Sequence, residues 1–152
     1  MRCFYHPDYT FPLPEEHPFP MDKFWRSAAM LREAAAPWLT IHTVEPAPET
    51  TLLRVHTPAY LEKIRTGALD SAEAVKLGLP AGEALLLRSR LEVGGTLAAM
   101  QAALAEGLAC NLAGGTHHAF ADRGLGYCVL NDVAIAIREH HAAHPAARIA
   151  VI

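Results

Sequence analysis

The sequence predicts an α/β fold, a parallel sheet flanked by helices on both faces. Three observations carry this. Short apolar or β-branched runs at residues 3–5, 39–44 and 108–112 have the length of buried strands. Longer stretches of helical spacing separate them, and strands alternating with helices imply parallel βαβ crossovers. Hydrophobic residues make up 51% of the 152 positions, ample for a packed core.

The elements follow in order. Cys3-Phe4-Tyr5 is the first strand. Five prolines (Pro7, Pro12, Pro14, Pro18 and Pro20) then exclude a regular helix or central strand over residues 6–20, because each removes a backbone donor. A helix capped by Asp22 follows, with Phe24, Ala28, Leu31 and Ala35 on one apolar stripe and Pro37 at its end. Residues 39–44 form the second strand and residues 45–49 a turn. Residues 50–65 are helical in pattern and restart at Thr57-Pro58, where threonine caps and proline takes the first helical position. Gly67 stands where a helix ends. Residues 83–106 read as two helices broken near Gly94-Gly95, since glycine lowers helix stability by about 1 kcal/mol. Residues 108–112 are the third strand, and residues 113–130 a loop. Asn131 or Asp132 caps a helix reaching about His141, with Pro145 beyond it. The apolar residues 148–152 begin a further buried strand.

Charge and cysteine usage exclude several classes. Thirteen Lys and Arg are outnumbered by 16 Asp and Glu, which argues against direct nucleic-acid binding. Cys3, Cys110 and Cys128 are odd in number and far apart, unlike a disulfide framework. No uncharged run approaches the ~20 residues of a membrane span, and no signal peptide is evident. A cytoplasmic protein is expected.

In parallel sheets ligands bind beyond the carboxyl ends of the strands, which directs attention to the loop after Leu112. There, Gly114-Gly115 frees the backbone for positive φ just before His117-His118. Adjacent histidines in an extended chain point to opposite faces, so only a bend brings them to one site. Such a pair suits a general base with an electrostatic partner, or two metal ligands; solvated loop histidines are the plain alternative. Tyr127, between Gly126 and Cys128, is either a core filler or a pocket wall. Cys128 reads as a buried, inert thiol, and Asn131 and Asp132 need no role beyond capping. His140 and His144 stand four apart, but no third ligand completes a metal set, so a solvent-facing helix end is expected. His6, His17, His42 and His56 are isolated, with His56 suited to a structural hydrogen bond. There is no phosphate-binding glycine loop and no Gly-x-Ser-x-Gly elbow.

The segment Gly114-Gly-Thr-His-His-Ala-Phe-Ala-Asp-Arg-Gly-Leu-Gly-Tyr-Cys-Val-Leu-Asn-Asp-Val-Ala-Ile-Ala-Ile137 resembles the histidine-dyad segment of the histone deacetylase family, which includes acetoin-utilisation proteins and acetylpolyamine amidohydrolases. Val55-His-Thr-Pro-Ala-Tyr-Leu61, His17-Pro-Phe-Pro-Met-Asp-Lys-Phe24 and Arg90-Leu-Glu-Val-Gly-Gly-Thr-Leu97 resemble other segments of the family, in the right order. The resemblance implies an arginase/deacetylase-like fold and zinc-dependent removal of acetyl or longer acyl groups from lysine or similar amines. His118 would be the general base and His117 its electrostatic partner. Gly126 and Tyr127 would line the substrate tube, where the family usually has phenylalanine at the second position, and Gly114-Gly115 would shape the pocket floor. The family's metal ligands follow the strand expected at residues 148–152, so no metal ligand is matched in this chain. Nor are the acidic partners of the dyad. Residues 1–152 thus resemble the N-terminal part of a single such domain, with Zn2+ expected for the complete protein. The rival readings are a non-catalytic interaction module pairing through a free sheet edge, and an acetylpolyamine or other small acyl-amine hydrolase.

Overall fold

The computed structural model describes every residue except Ala35. Strands β1 (Arg2–Phe4), β2 (Thr40–His42) and β3 (Ala109–Asn111) form a parallel sheet in the order β2-β1-β3. Cys3 of the central strand pairs with Ile41 on one side and Cys110 on the other. Helices flank the sheet, in agreement with the predicted class. Strands β2 and β3 lie inside their expected runs but are shorter, and β1 is displaced by one residue towards the N-terminus.

The helices are α1 (Lys23–Glu33), α2 (Glu49–Leu52), α3 (Pro58–Thr66), α4 (Ser71–Leu77), α5 (Glu83–Glu106) and α6 (Asp132–Ala143). Helix α1 buries Phe24 and Ala28, with Leu31 half-buried; the fourth residue of its expected stripe, Ala35, lies outside the described residues. Asp22 precedes the helix as expected but caps no amide, its carboxylate instead accepting from Arg26 at 2.9 Å. Helix α3 starts as the sequence indicates: the Thr57 hydroxyl accepts from the Tyr60 amide, Pro58 is the first helical residue, and Gly67 closes the helix in the left-handed region at φ 70°. The proline-rich segment is irregular apart from one 3-10 turn, Pro7–Tyr9, which buries Tyr9 completely.

Three expectations need correction. Helix α4 was not foreseen, although Asp70 and Glu73 form a complete capping box before it and Gly78 ends it, both legible in sequence. Helix α5 runs unbroken through Gly94-Gly95. The pair serves close packing: a Cβ on Gly94 would lie 2.0 Å from the Glu45 carbonyl oxygen, and one on Gly95 would lie 2.2 Å from the Tyr9 hydroxyl. Residues 148–152 form no strand but run as coil, with Val151 67% exposed. An apolar run makes a strand only when it pairs with a sheet, and residues 148–152 pair with neither edge of the three-stranded sheet.

Two core clusters lie about α5. One gathers Leu52, Leu61, Ile64, Leu77, Leu85, Val129 and Ile135, joining α2–α6. The other gathers Phe4, Tyr9, Phe24, Val44 and Leu91 beside the sheet. Together they hold the carboxyl end of β3, and the loop that follows it, against α5.

The Gly94 contact is a direct test of this packing. Alanine would gain about 1 kcal/mol of helix propensity. Overlap with a backbone carbonyl costs about 1–3 kcal/mol. Gly94→Ala is therefore expected to lower stability by up to about 2 kcal/mol in urea denaturation. A stabilised variant would show that the loop at Glu45 yields freely.

Candidate active site

Beyond β3 the chain bends through Gly114 (φ 100°) and Gly115 (φ 71°), and this bend puts adjacent histidines together. The rings of His117 and His118 stand 4.2 Å apart between centroids, both exposed. The Gly115 carbonyl accepts from the His117 amide and from His117 Nδ1, each at 2.9 Å. Gly126 comes within van der Waals reach of His118, its Cβ position lying 3.9 Å from His118 Cδ2.

Two neighbouring residues at the start of α6 hold this loop. Asn131 is the helix cap, its Oδ1 accepting from the Ala134 amide at 3.0 Å, while its Nδ2 donates to the Ala119 carbonyl at 3.1 Å. Asp132 turns inward and is fully buried. Its carboxylate accepts from the Gly115 amide at 2.9 Å, the Thr116 amide at 2.8 Å and the Thr96 hydroxyl at 2.5 Å. The Thr116 hydroxyl lies 2.6 Å from the same carboxylate, sharing its single hydrogen with the Leu130 carbonyl. The network continues inward, where Asn111 Nδ2 donates to Thr96 at 3.1 Å and Tyr9 donates to Asn111 at 2.8 Å.

His56 braces the loop from the other side. It is 2% exposed, and its Nε2 accepts from the Asn131 amide at 2.9 Å. Its Nδ1 faces the carbonyls of Ala121 and Phe120 without a well-formed hydrogen bond. Burial pushes the imidazole below its usual value, with those carbonyls opposing the shift. The isolated histidine is structural, as its sequence position suggests.

The residues expected at a pocket do border one. Gly115, Gly126 and Tyr127 line a cavity of about 270 Å3, together with Lys23, Arg88 and Glu92. His117 and His118 are not among its lining residues. Tyr127 has φ 68°, and its ring packs 5.0 Å from Phe19 and against Gly78. The amides of Gly126 and Tyr127 donate to the carbonyls of Lys76 and Leu77, so the unforeseen α4 positions the wall of this cavity. A larger cavity of about 620 Å3, between α5, α6 and residues 147–152, contains none of the candidate residues.

Sequence reading missed Asp132, Thr96, Asn111, Arg88 and Glu92. One signal for Asp132 was present: of two consecutive cap-type residues before a helix, only one can cap. The Arg88–Glu92 pair has the spacing of a solvated surface pair, yet both side chains are buried, 2.7 Å apart. Arg88 also donates to the Tyr9 carbonyl at 2.8 Å and lies 5.1 Å from the Phe24 ring centre. Elsewhere, burial raises the Cys128 thiol, in keeping with an inert cysteine. His140 and His144 stack 4.5 Å apart at the end of α6. Among the described residues no group of three or more His, Cys, Asp or Glu side chains forms a metal shell. The residues present thus do not by themselves fit a zinc ion.

The buried pair has a pH signature. Burial pushes the Glu92 carboxyl up to about 7, against the opposing pull of Arg88. An acid raised in the folded state contributes stability fully below its ordinary 4.5, and that contribution is lost as pH rises through about 7. His56, a base pushed down, contributes stability above its ordinary 6.5 and loses it as pH falls. The two oppose each other, so the difference between variants isolates one. Glu92→Gln is expected to be less stable overall, because Arg88 loses its partner, and to lack the decline between pH 4.5 and 7. Parallel stability–pH curves for wild type and variant would show that Glu92 titrates normally.

Comparison with known proteins identifies the architecture. The histone deacetylase domain matches residues 17–152. The chain is 40% identical over 149 residues to an uncharacterized protein of Picosynechococcus sp., covering 97% of this chain and 50% of that one. It is 34% identical over 146 residues to the acetoin utilization protein AcuC of Bacillus subtilis, covering 88% of this chain and 38% of that one. A crystal structure of an HDAC homolog from Aquifex aeolicus superposes with a TM-score of 0.70 at 23% identity, covering 93% of this chain and 41% of that one. The chain therefore spans half or less of the length of these relatives. With the family's domain matched over most of its residues, the chain belongs to the histone deacetylase family.

Proposed function

We propose that this chain is the histidine-bearing part of a zinc-dependent amide hydrolase that removes acetyl or longer acyl groups from lysine side chains or similar amines. The observation that carries the reading is the paired imidazoles on a glycine bend, held by a buried carboxylate and beside Gly126. Family membership supports the hydrolase class. The three free cysteines fit a reducing, cytoplasmic setting. Among the described residues no helix is long and apolar enough to cross a membrane.

In this reading His118 takes a proton from the attacking water and returns it to the leaving amine. His117, beside it, stabilises the charge that His118 acquires. Gly115, Gly126 and Tyr127 border the space for the acyl-bearing chain, and the absence of side chains at the two glycines keeps that space open. Zinc, on this reading, is held by ligands outside these 152 residues.

The test uses the complete gene product that carries this sequence. It should hydrolyse an acetyl-lysine reporter and lose that activity to a chelator. His118→Ala should lower turnover by ~10²–10⁴-fold. Unchanged turnover in that variant overturns the role of His118. The 152-residue chain alone is expected to show no chelator-sensitive turnover, since its described residues contain no metal shell.

A second reading, an interaction module, draws on β3, which pairs on one side only. Association through that edge would raise the apparent mass with concentration in size-exclusion chromatography. A constant monomer across the range removes this reading.

A further inference from the structure

We infer that Cys3 and Cys110 form a dithiol site that exchanges with small-molecule disulfides and closes into a bond between β1 and β3. The two residues are far apart in the chain, and the sheet makes them neighbours. Strands β1 and β3 are parallel, and Cys3 is the direct partner of Cys110 in the register. Such partners project from the same face of a sheet, and adjacent strands lie about 4.8 Å apart. That spacing falls within the span of about 4.4–6.8 Å between Cα atoms that a disulfide bridges. The side chains do meet, because the Cys3 thiol is within hydrogen-bonding reach of Cys110. Both are free thiols. The third cysteine, Cys128, belongs to the loop before α6 and to neither strand.

The two sulfurs differ in access, and this divides the chemistry between them. Cys3 has no exposed surface, whereas Cys110 is only half-buried. Burial pushes the Cys3 thiol up to about 12, with the hydrogen bond and charge of Cys110 adding to the shift. Cys110 is therefore the sulfur that a disulfide from solution meets first. Its thiolate attacks one sulfur of that disulfide, whose S–S bond breaks, and one small thiol leaves. Cys110 is then a neutral mixed disulfide, so the charge and hydrogen bond that added to the Cys3 shift are gone. The Cys3 thiolate next attacks the Cys110 sulfur, the mixed disulfide breaks, and the second small thiol leaves. The protein has lost two electrons and two protons, and the small disulfide has become two thiols. The product ties the central strand to β3, the strand that leads into the glycine bend and the histidine pair. Nothing in these steps depends on the hydrolase reading.

The test incubates the complete gene product that carries this sequence with oxidised glutathione, a small disulfide, under native conditions. Remaining thiols are then alkylated, and the protein is digested with trypsin without reductant for mass spectrometry. Cleavage after Arg2, Lys23, Arg90 and Arg123 places Cys3 in residues 3–23 and Cys110 in residues 91–123. The expected product is these two peptides joined, with the Cys128 peptide, residues 124–138, alkylated instead. Dithiothreitol should restore both thiols. Two peptides that each carry glutathione, or that both stay unmodified, overturn the proposal, as does a link that forms only after unfolding in urea. In Cys3→Ala the exchange should stop at its first step and leave glutathione on Cys110. An unmodified Cys110 in that variant overturns its role as the entry thiol. Cys110→Ser, at the more accessible partner, covers the case in which Cys3→Ala does not fold. It should abolish modification of Cys3 in the folded protein, and glutathione on Cys3 there counts against the proposal. None of these readouts depends on turnover, so an inactive acetyl-lysine assay overturns the substrate reading and leaves this one standing.

Discussion

The site depends on one buried carboxylate. Asp132, with no exposed surface, draws together a hydroxyl from α5, the glycine bend after β3 and the first turn of α6. A buried carboxylate without donors is strongly unfavourable, so each of these partners is also a condition for the others. Thr96 extends the link through Asn111 to Tyr9, so the loop is continuous in hydrogen bonding with the first turn after β1. The exposed histidines stand on that rigid base, and their mutual placement is a property of the network more than of the loop.

Helix α5 is the element against which this base is built. Its glycine pair and its charged residues both look out of place in a long helix, and both are explained by what packs on them. Gly94 admits the Glu45 carbonyl and Gly95 the Tyr9–Asn111 hydrogen bond. The propensity lost at two glycines, about 1 kcal/mol each, is small beside the overlap that side chains there would create. Arg88 and Glu92 form a buried ion pair within hydrogen-bond reach of the 3-10 turn and among Phe11, Phe19 and Phe24. Desolvation opposes both charges, since burial lowers Arg88 and raises Glu92, so the pair specifies the position of these elements more than it stabilises them. Both residues also border the cavity that Gly115, Gly126 and Tyr127 line, which joins the helix's packing to the candidate site.

Much of the site was legible because it is contiguous. The glycine bend, the two histidines, Gly126 and Tyr127 lie within fourteen positions of one another, and the bend that makes adjacent histidines converge follows from glycine chemistry. Asp132 was legible as a cap-type residue but not as an anchor. Its partners Thr96 and Asn111 are distant in the chain, and a carboxylate at a helix start has a sufficient local explanation. The α4 wall was missed for the opposite reason: its capping box was plain, but a helix this short, with most of its residues exposed, has a weak apolar period.

The sequence by itself determined the class of fold, the places of the three strands along the chain, the Thr57 cap, a cap at Asn131 or Asp132 and the location of the histidine pair, all set by local preferences and short-range spacing. Tertiary structure alone decided that α5 stays continuous, that the Arg88–Glu92 pair is buried, that Asp132 faces inward, and that residues 148–152 remain coil beside a three-stranded sheet. The physical reason is the same in each case. Whether a glycine loosens a helix or admits a neighbour, whether a charge is solvated or paired, and whether an apolar run becomes a strand all depend on which distant segment occupies the adjoining space.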